Sequence, residues 1–153
     1  MIHVYKTEGI ILKQKNFAEA DRILTIYTKH YGKIQAIVKG ARRVTSRKAG
    51  SLELFNHCSL VLAKGKNLDI ISEVEVVNSF RSWRKNLTKV GIAWYLCELV
   101  DKLTPEEQEN RQVFSFLRDW LAKIGYLNPS YIETIIEKKI TTPKILRLMV
   151  SGN

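Results

Sequence analysis

Cationic side chains that could bind phosphate are concentrated in residues 39–50, called the basic segment below. The segment has no acidic residue, and its cations are Lys39, Arg42, Arg43, Arg47 and Lys48. Arginine, lysine, serine and threonine are the side chains that contact phosphate oxygens in nucleic-acid complexes. No carboxylate lies between Asp21 and Glu53. We therefore expect a loop that binds a nucleic-acid backbone, the alternative being a solvated loop that only aids solubility.

Residues that could catalyse a reaction form no familiar arrangement. His3, His30 and His57 lie in the first half of the chain, without a patterned serine or acid beside them. The sequence has no glycine-rich phosphate loop, no HExxH motif and no nucleophile elbow. Glu19 and Asp21 are the nearest approach to paired carboxylates, and turn capping explains them better than acid–base chemistry. We predict that the protein is not an enzyme.

The cysteines give no reason to expect a metal or another cofactor. Cys58 and Cys97 are far apart in the chain and belong to no pair motif, and a disulfide framework or a zinc ribbon needs more cysteines. His57 precedes Cys58, but neighbours on a strand point to opposite faces and would not easily share a metal. We predict two buried thiols, no metal and no cofactor.

Size and charge indicate a folded protein with a polyanionic partner. The chain has 153 residues, of which 45% are hydrophobic, enough to bury a core in one domain or two small ones. The net charge of +10 favours nucleic acid or an anionic membrane surface as the partner. No signal peptide is visible at the start, and no apolar run approaches the roughly 20 residues of a spanning helix. We expect a soluble, cytoplasmic protein without a membrane partner.

The first half of the sequence, residues 1–78, has the pattern of a small β-domain. Alternating and β-branched runs predict strands at residues 7–15, 21–28, 34–38, 52–63 and 68–77. The basic segment falls in the long connection between the third and fourth strands. This arrangement fits a closed five-stranded oligonucleotide-binding (OB) barrel, although a plain antiparallel sheet has the same periodicity.

Residues 79–153 change to helical spacing, so the predicted fold class is α+β, with a helical domain after the barrel. The first helix is expected from about Ser79. A second is expected from Thr104, followed by Pro105, with Asn110 as a rival N-cap and an end at Gly125. Further helices are predicted over residues 128–139 and from residue 142. The three tryptophans fall on apolar stripes and are predicted to be core residues: Trp83, Trp94 and Trp120.

Two further features could extend a nucleic-acid site. Base stacking requires exposed aromatic rings. Phe17 and Tyr31 lie in predicted turns and are expected to be exposed, whereas for Tyr27, inside a strand, core packing and stacking are equally supported. A second basic cluster is expected on one helical face, where it could be a solvated surface, a continuation of the DNA track or a receiver of acidic peptides. Its members are Arg81, Arg84, Lys85 and Lys89.

Several stretches resemble the bacterial recombination mediator family RecO. Residues 19–28, followed by Tyr31-Gly32-Lys33, resemble its second strand and turn, and residues 38–43 with Ser46-Arg47 are the most specific match. Residues 73–75 and 95–101 extend the similarity, which covers about residues 4–127.

This resemblance implies an OB barrel followed by a helical domain, with DNA as the partner. It implies binding of single- and double-stranded DNA, annealing of complementary strands, and contacts with RecR and the acidic tail of the single-stranded-DNA-binding protein during RecA loading. Lys39, Arg42, Arg43 and Arg47 would be DNA contacts. To these we add Lys33 and Lys48 on charge, Arg22 beside the turn and Tyr31 as a stacking side chain.

The chain also departs from the family pattern. It is shorter than usual members, and it lacks the cysteine cluster that binds zinc in many of them. We therefore expect a short form without the zinc site, and we assign the partner sites to no named residues. Two alternatives remain: a basic adaptor that binds acidic protein tails, and an RNA-binding OB protein.

Overall fold

The computed structural model describes residues 3–43 and 47–128, and it begins with a closed barrel of five strands. The strands run in the order β1-β2-β3-β5-β4, and β1 closes the barrel by pairing with both β2 and β4. Among the pairings of these five strands, only the short β3–β5 pairing is parallel. The strands are β1 (Val4–Phe17), β2 (Asp21–Thr28), β3 (Gly32–Val38), β4 (His57–Ala63) and β5 (Asp69–Asn78). The predicted class, an OB-type barrel followed by helices, is confirmed, and a plain open sheet is excluded.

A β-bulge at Leu12 determines which residues of β1 face outward. Before it, Ile11 pairs with Ile26 and both side chains lie in the barrel core. After it, Lys13 pairs with Thr25, so the register has shifted by one residue. Since an extra residue reverses the side-chain alternation, the odd-numbered residues that follow Leu12 point away from the barrel interior.

The connection between β3 and β4 contains a short helix instead of the early start of a strand. The prediction that the fourth strand begins at residue 52 was wrong, because α1 (Lys48–Ser51) is followed by a buried loop. In that loop Leu52 and Phe55 are core residues, and Phe55 has a φ of 73°. Its apolar residues therefore resembled a strand although the backbone is not extended.

Two longer helices follow the barrel, each with an asparagine N-cap. In α2 (Leu87–Leu103) the Asn86 side chain accepts from the Lys89 backbone N–H at 3.1 Å. In α3 (Arg111–Lys123) Asn110 does the same for Val113 at 3.2 Å, and a 3₁₀ turn (Ile124–Tyr126) follows. The rival N-cap at Asn110 was thus correct. No helix in the described part of the chain crosses a membrane by length and hydropathy.

The other predicted helix starts were wrong or lie outside the description. Residues 79–86 form turns before α2. The apolar residues whose spacing suggested a helix there are used for packing in these turns. At residue 104 the chain leaves α2 and runs beside β3, where Glu107 donates its backbone N–H to the Lys33 carbonyl at 2.8 Å. The helices predicted over residues 128–139 and from residue 142 fall outside the described residues.

The helices share one apolar core with the outside of the barrel. Trp83 is 1% exposed and donates its indole N–H to the Leu121 carbonyl at 2.7 Å, which ties the inter-element turns to α3. Tyr27 belongs to the same cluster and is buried, so the structure favours its core role. Trp94 was predicted as core but is 55% exposed, because α2 presents that side to solvent.

The two cysteines are buried thiols, as predicted. Burial raises the pKa of both Cys58 and Cys97 to about 12, so neither is a reactive thiolate at neutral pH. The neighbouring His57 is also buried, and its Nε2 lies 2.9 Å from a carboxylate oxygen of Glu8.

Candidate nucleic-acid interface

The basic segment is fastened to the turn between β1 and β2. Gly40 has a φ of 69°, which a residue without a side chain adopts freely, and its N–H donates to the Asp21 carboxylate at 2.8 Å. The Arg42 N–H donates to the Ala20 carbonyl at 2.9 Å. Ala41 is buried in the barrel core. These contacts fix the first half of the basic segment at one end of the barrel.

Most cations of the basic segment are exposed there. The exposed members are Lys39, Arg42, Arg43 and Arg47. Arg42 donates one guanidinium N–H to the Ala18 carbonyl at 2.5 Å, so its side chain leans over the β1–β2 turn. Lys48 begins α1 and is partly buried. Residues 44–46 lie outside the described residues, and Ser46 is therefore placed only by sequence.

The bulge brings further side chains to this end of the barrel. Lys13, Lys15 and Phe17 lie on the outer face of the β1–β3 sheet, and all three are exposed. Lys15 pairs with Ile23, which pairs in turn with Ile37. We call the surface formed by the exposed Lys13, Lys15, Phe17 and Lys39, together with the partly buried Ile23, the open face.

Sequence reasoning missed Lys13 and Lys15. Their alternation with the buried Ile11 would place them inside the barrel, and only the bulge moves them outside. Phe17 was expected to be exposed and is 44% exposed. Phe17 is the last residue of β1 and adjoins the β1–β2 turn, where the Arg42 guanidinium donates to the Ala18 carbonyl.

Arg22 lies at the same end of the barrel as the open face, but on the opposite, inner surface of the sheet. It pairs with Val38, whose side chain is in the barrel core, and its guanidinium reaches the Gln14 side chain at 3.4 Å. It is partly buried. Arg22 therefore lies behind the open face and does not extend it.

The C-terminal end of α2 lies against Lys33 at the start of β3, and this corrects the role predicted for Lys33. Lys33 is 7% exposed, and its ammonium donates to the Asp101 carbonyl at 2.5 Å and to the Thr104 carbonyl at 2.8 Å. It also lies 3.4 Å from the Asp101 carboxylate. The ammonium thus satisfies carbonyls at the C-terminal end of α2, and it is not available to a phosphate.

Tyr31 is exposed, as expected, but it is far from the basic segment. It precedes β3, whereas the basic segment follows it, and seven strand residues separate the two by about 20 Å. Its ring packs on Tyr5, with centroids 4.6 Å apart. The structure therefore does not bring Tyr31 together with Arg42 and Arg43.

The second basic cluster does not share one helical face, because three of its members precede α2. Arg84 is held by the Ser79 carbonyl and the Asn56 side chain, each at 2.5 Å, and its guanidinium lies 5.6 Å from the Phe55 ring centroid. Burial lowers the pKa of Arg84. Lys89 donates to the Gly125 carbonyl at 3.0 Å.

Only two members of that cluster, Arg81 and Lys85, are exposed. The prediction that the four cations share one helical face is therefore wrong, and the role of the cluster stays a prediction. Arg84 and Lys89 hold turns and helices together through these hydrogen bonds.

The fold and the candidate interface define an OB-barrel protein with an attached helical part and a cationic, aromatic surface at one barrel end. Residues 1–80 match the family model described as "Recombination protein O N terminal", and residues 84–136 match "Recombination protein O C terminal". The chain belongs to the RecO family, and the resemblance found in the sequence is confirmed.

Curated relatives agree with this assignment. The chain is 44% identical over 114 residues to the DNA repair protein RecO of Roseiflexus sp. (strain RS-1), covering 74% of this chain and 40% of the relative. It is 40% identical over 114 residues to the protein of that name from Symbiobacterium thermophilum, covering 74% and 45% respectively. The chain is 34% identical over 137 residues to the DNA repair protein RecO of Pelotomaculum thermopropionicum, and the match covers 90% of this chain and 54% of the relative. The chain thus spans about half the length of these relatives.

Proposed function

We propose that this chain is a DNA repair mediator that binds single-stranded DNA across the open face and the basic segment. The observation that carries the proposal is the exposed ring of Phe17 among Lys13, Lys15 and Lys39, next to a segment rich in arginine. Proteins that bind single strands combine a cationic track with aromatic rings on which bases stack. The names of the RecO relatives support DNA repair as the setting.

The proposed mechanism is electrostatic and does not involve catalysis. Lys39, Arg42, Arg43 and Arg47 contact phosphates, while Phe17 stacks on a base at the edge of the β1–β2 turn. Neutralising the phosphates of one strand lowers its repulsion of a second, so complementary strands anneal on this surface. The same cations accept duplex DNA, because backbone contacts carry no sequence information.

The partners are proposed from the family alone. We propose that the chain acts with RecR on DNA coated with the single-stranded-DNA-binding protein, whose acidic tail it binds, and that this assists RecA loading. These contacts are assigned to no residues. The protein would work in the cytoplasm, where its DNA substrate is found.

The test is annealing of two complementary oligonucleotides, bare and coated with the single-stranded-DNA-binding protein. The double variant Arg42→Ala/Arg43→Ala should lose annealing on both substrates. The matched control Arg81→Ala/Lys85→Ala removes the same charge from exposed positions outside the open face, and it should anneal like the parent.

Other outcomes of this test would contradict parts of the proposal. Annealing of bare strands alone would refute the partner contacts and keep the DNA surface. Equal loss in both double variants would refute the proposed site, since net charge alone would then explain binding. Stronger binding to a matched RNA strand would favour the RNA alternative.

A further inference from the structure

A second candidate site lies at the end of the barrel opposite the basic segment. A cavity of about 520 Å³ opens there between the start of β1, the β2–β3 turn and the α2–α3 connection. Its lining includes Tyr5, His30, Tyr31, Lys64 and Glu107. Its volume lies within the range of small-molecule sites, which combine aromatic walls with a few polar groups.

One wall of the cavity is a row of four rings. His3 stacks on Tyr5 with centroids 6.1 Å apart, Tyr5 lies 4.6 Å from Tyr31, and Tyr31 lies 6.5 Å from His30. The Tyr5 hydroxyl donates to the buried Asp69 carboxylate, which fixes its ring. The ring of Tyr31, 42% exposed, is therefore a supported surface on which a further ring can stack.

The rim of the cavity suits a neutral polar ring better than a phosphate. Its carboxylates already face cations: Glu107 lies 3.4 Å from the Lys64 ammonium, and Glu109 lies 2.9 Å from the Arg111 guanidinium. The partly exposed carboxylate oxygens can still accept hydrogen bonds, since each has several acceptor positions. The cations of these pairs already face carboxylates, so the pairs offer an added phosphate no net positive charge.

We propose that this cavity binds a nucleobase, with its ring stacked on Tyr31 and an exocyclic amino group donating to Glu107 or Glu109. Adenine, cytosine and guanine carry such an amino group and thymine does not, so the site prefers these three bases to thymine. The base comes either from a DNA strand or from a free nucleoside. A DNA strand as the source rests on the proposed function. Phosphates remain outside the rim.

A DNA strand as the source is tested with an oligonucleotide of abasic sites that carries a single adenine, a single thymine or no base. In fluorescence anisotropy, Tyr31→Ala should lower affinity for the adenine strand about tenfold, within the range for base–aromatic stacking. It should leave the fully abasic strand unchanged, and Tyr31→Phe should keep the parent affinity. Tyr126→Ala, at a side chain 92% exposed in the 3₁₀ turn, is the matched control. Equal loss on the abasic strand, or no loss on the adenine strand, overturns a DNA strand as the source.

Adenosine separates this proposal from the proposed function. Saturable NMR shifts of the Tyr31 ring on adding adenosine, absent with thymidine and in Tyr31→Ala, support the cavity site even if Arg42→Ala/Arg43→Ala leaves strand binding intact. If adenosine produces no shift and the strand assay shows no Tyr31 effect, the site is refuted. If an arginine-rich peptide saturates the shifts of the Tyr31 ring and adenosine does not, the nucleobase site is also refuted. The cavity would then be a pocket for cationic side chains.

Discussion

Replacing Lys33 by methionine separates a structural cation from a DNA contact. The change removes the ammonium that serves the Asp101 and Thr104 carbonyls and the Asp101 carboxylate. Breaking a fully buried pair costs about 3–5 kcal/mol. Because the Asp101 side chain is 24% exposed and can take up water, we expect a loss of about 2–3 kcal/mol here. For a chain of 153 residues, that lowers Tm by about 4–12 °C.

The assay is thermal and urea unfolding, paired with DNA binding measured well below Tm. Folded Lys33→Met should bind a single strand with the parent affinity. Lys39→Met, at an exposed position on the open face, should behave in the opposite way, with stability within about 0.5 kcal/mol of the parent and weaker binding. A stable Lys33→Met protein that binds DNA poorly would refute the reasoning.

Two further predictions concern the barrel and its neighbours. Burial lowers the pKa of His57 although Glu8 opposes it, so the unfolded chain takes up a proton near pH 6.5 before the folded protein does. The free energy of unfolding should therefore fall as pH drops from about 6.5 through the lowered pKa. In a plot of unfolding free energy against pH, His57→Gln should flatten the slope over this range. An unchanged slope would contradict this prediction. Gly32→Ala should cost about 1–3 kcal/mol by urea denaturation, since φ is 68° and the new Cβ would lie 2.1 Å from the Gln108 carbonyl oxygen. Gly91→Ala, in open space on α2, should instead stabilise by about 0.5–1 kcal/mol, and a matching loss at both glycines would contradict the packing argument.

The barrel could be predicted because its strands obey local rules. β-branched runs and turn residues located β2 and β3 within two residues. The same rules failed at residue 104, where proline and glutamate normally begin a helix. Here Glu107 takes a φ of 55° and bonds to β3, so a tertiary contact replaced the local preference.

The candidate interface was only partly predictable, because charge in a sequence does not reveal burial. Lys33 and Arg42 both lie in an acid-free stretch of the sequence. In the structure Lys33 donates to a carbonyl at the end of α2, whereas Arg42 is exposed. Lys13 and Lys15 were not predicted as site residues, because the bulge at Leu12 moves their side chains from the inner to the outer face of the barrel. Both outcomes depend on register and packing, which periodicity does not contain.

The salt dependence of single-strand binding tests the central claim most directly. Six exposed cations surround the open face and the basic segment: Lys13, Lys15, Lys39, Arg42, Arg43 and Arg47. At about −0.7 per neutralised phosphate, the slope of log affinity against log salt should be about −4. Arg42→Ala/Arg43→Ala should make it shallower by about 1.4, while Arg81→Ala/Lys85→Ala should leave it unchanged. A slope near zero with retained binding, or the same change in both variants, would contradict the account.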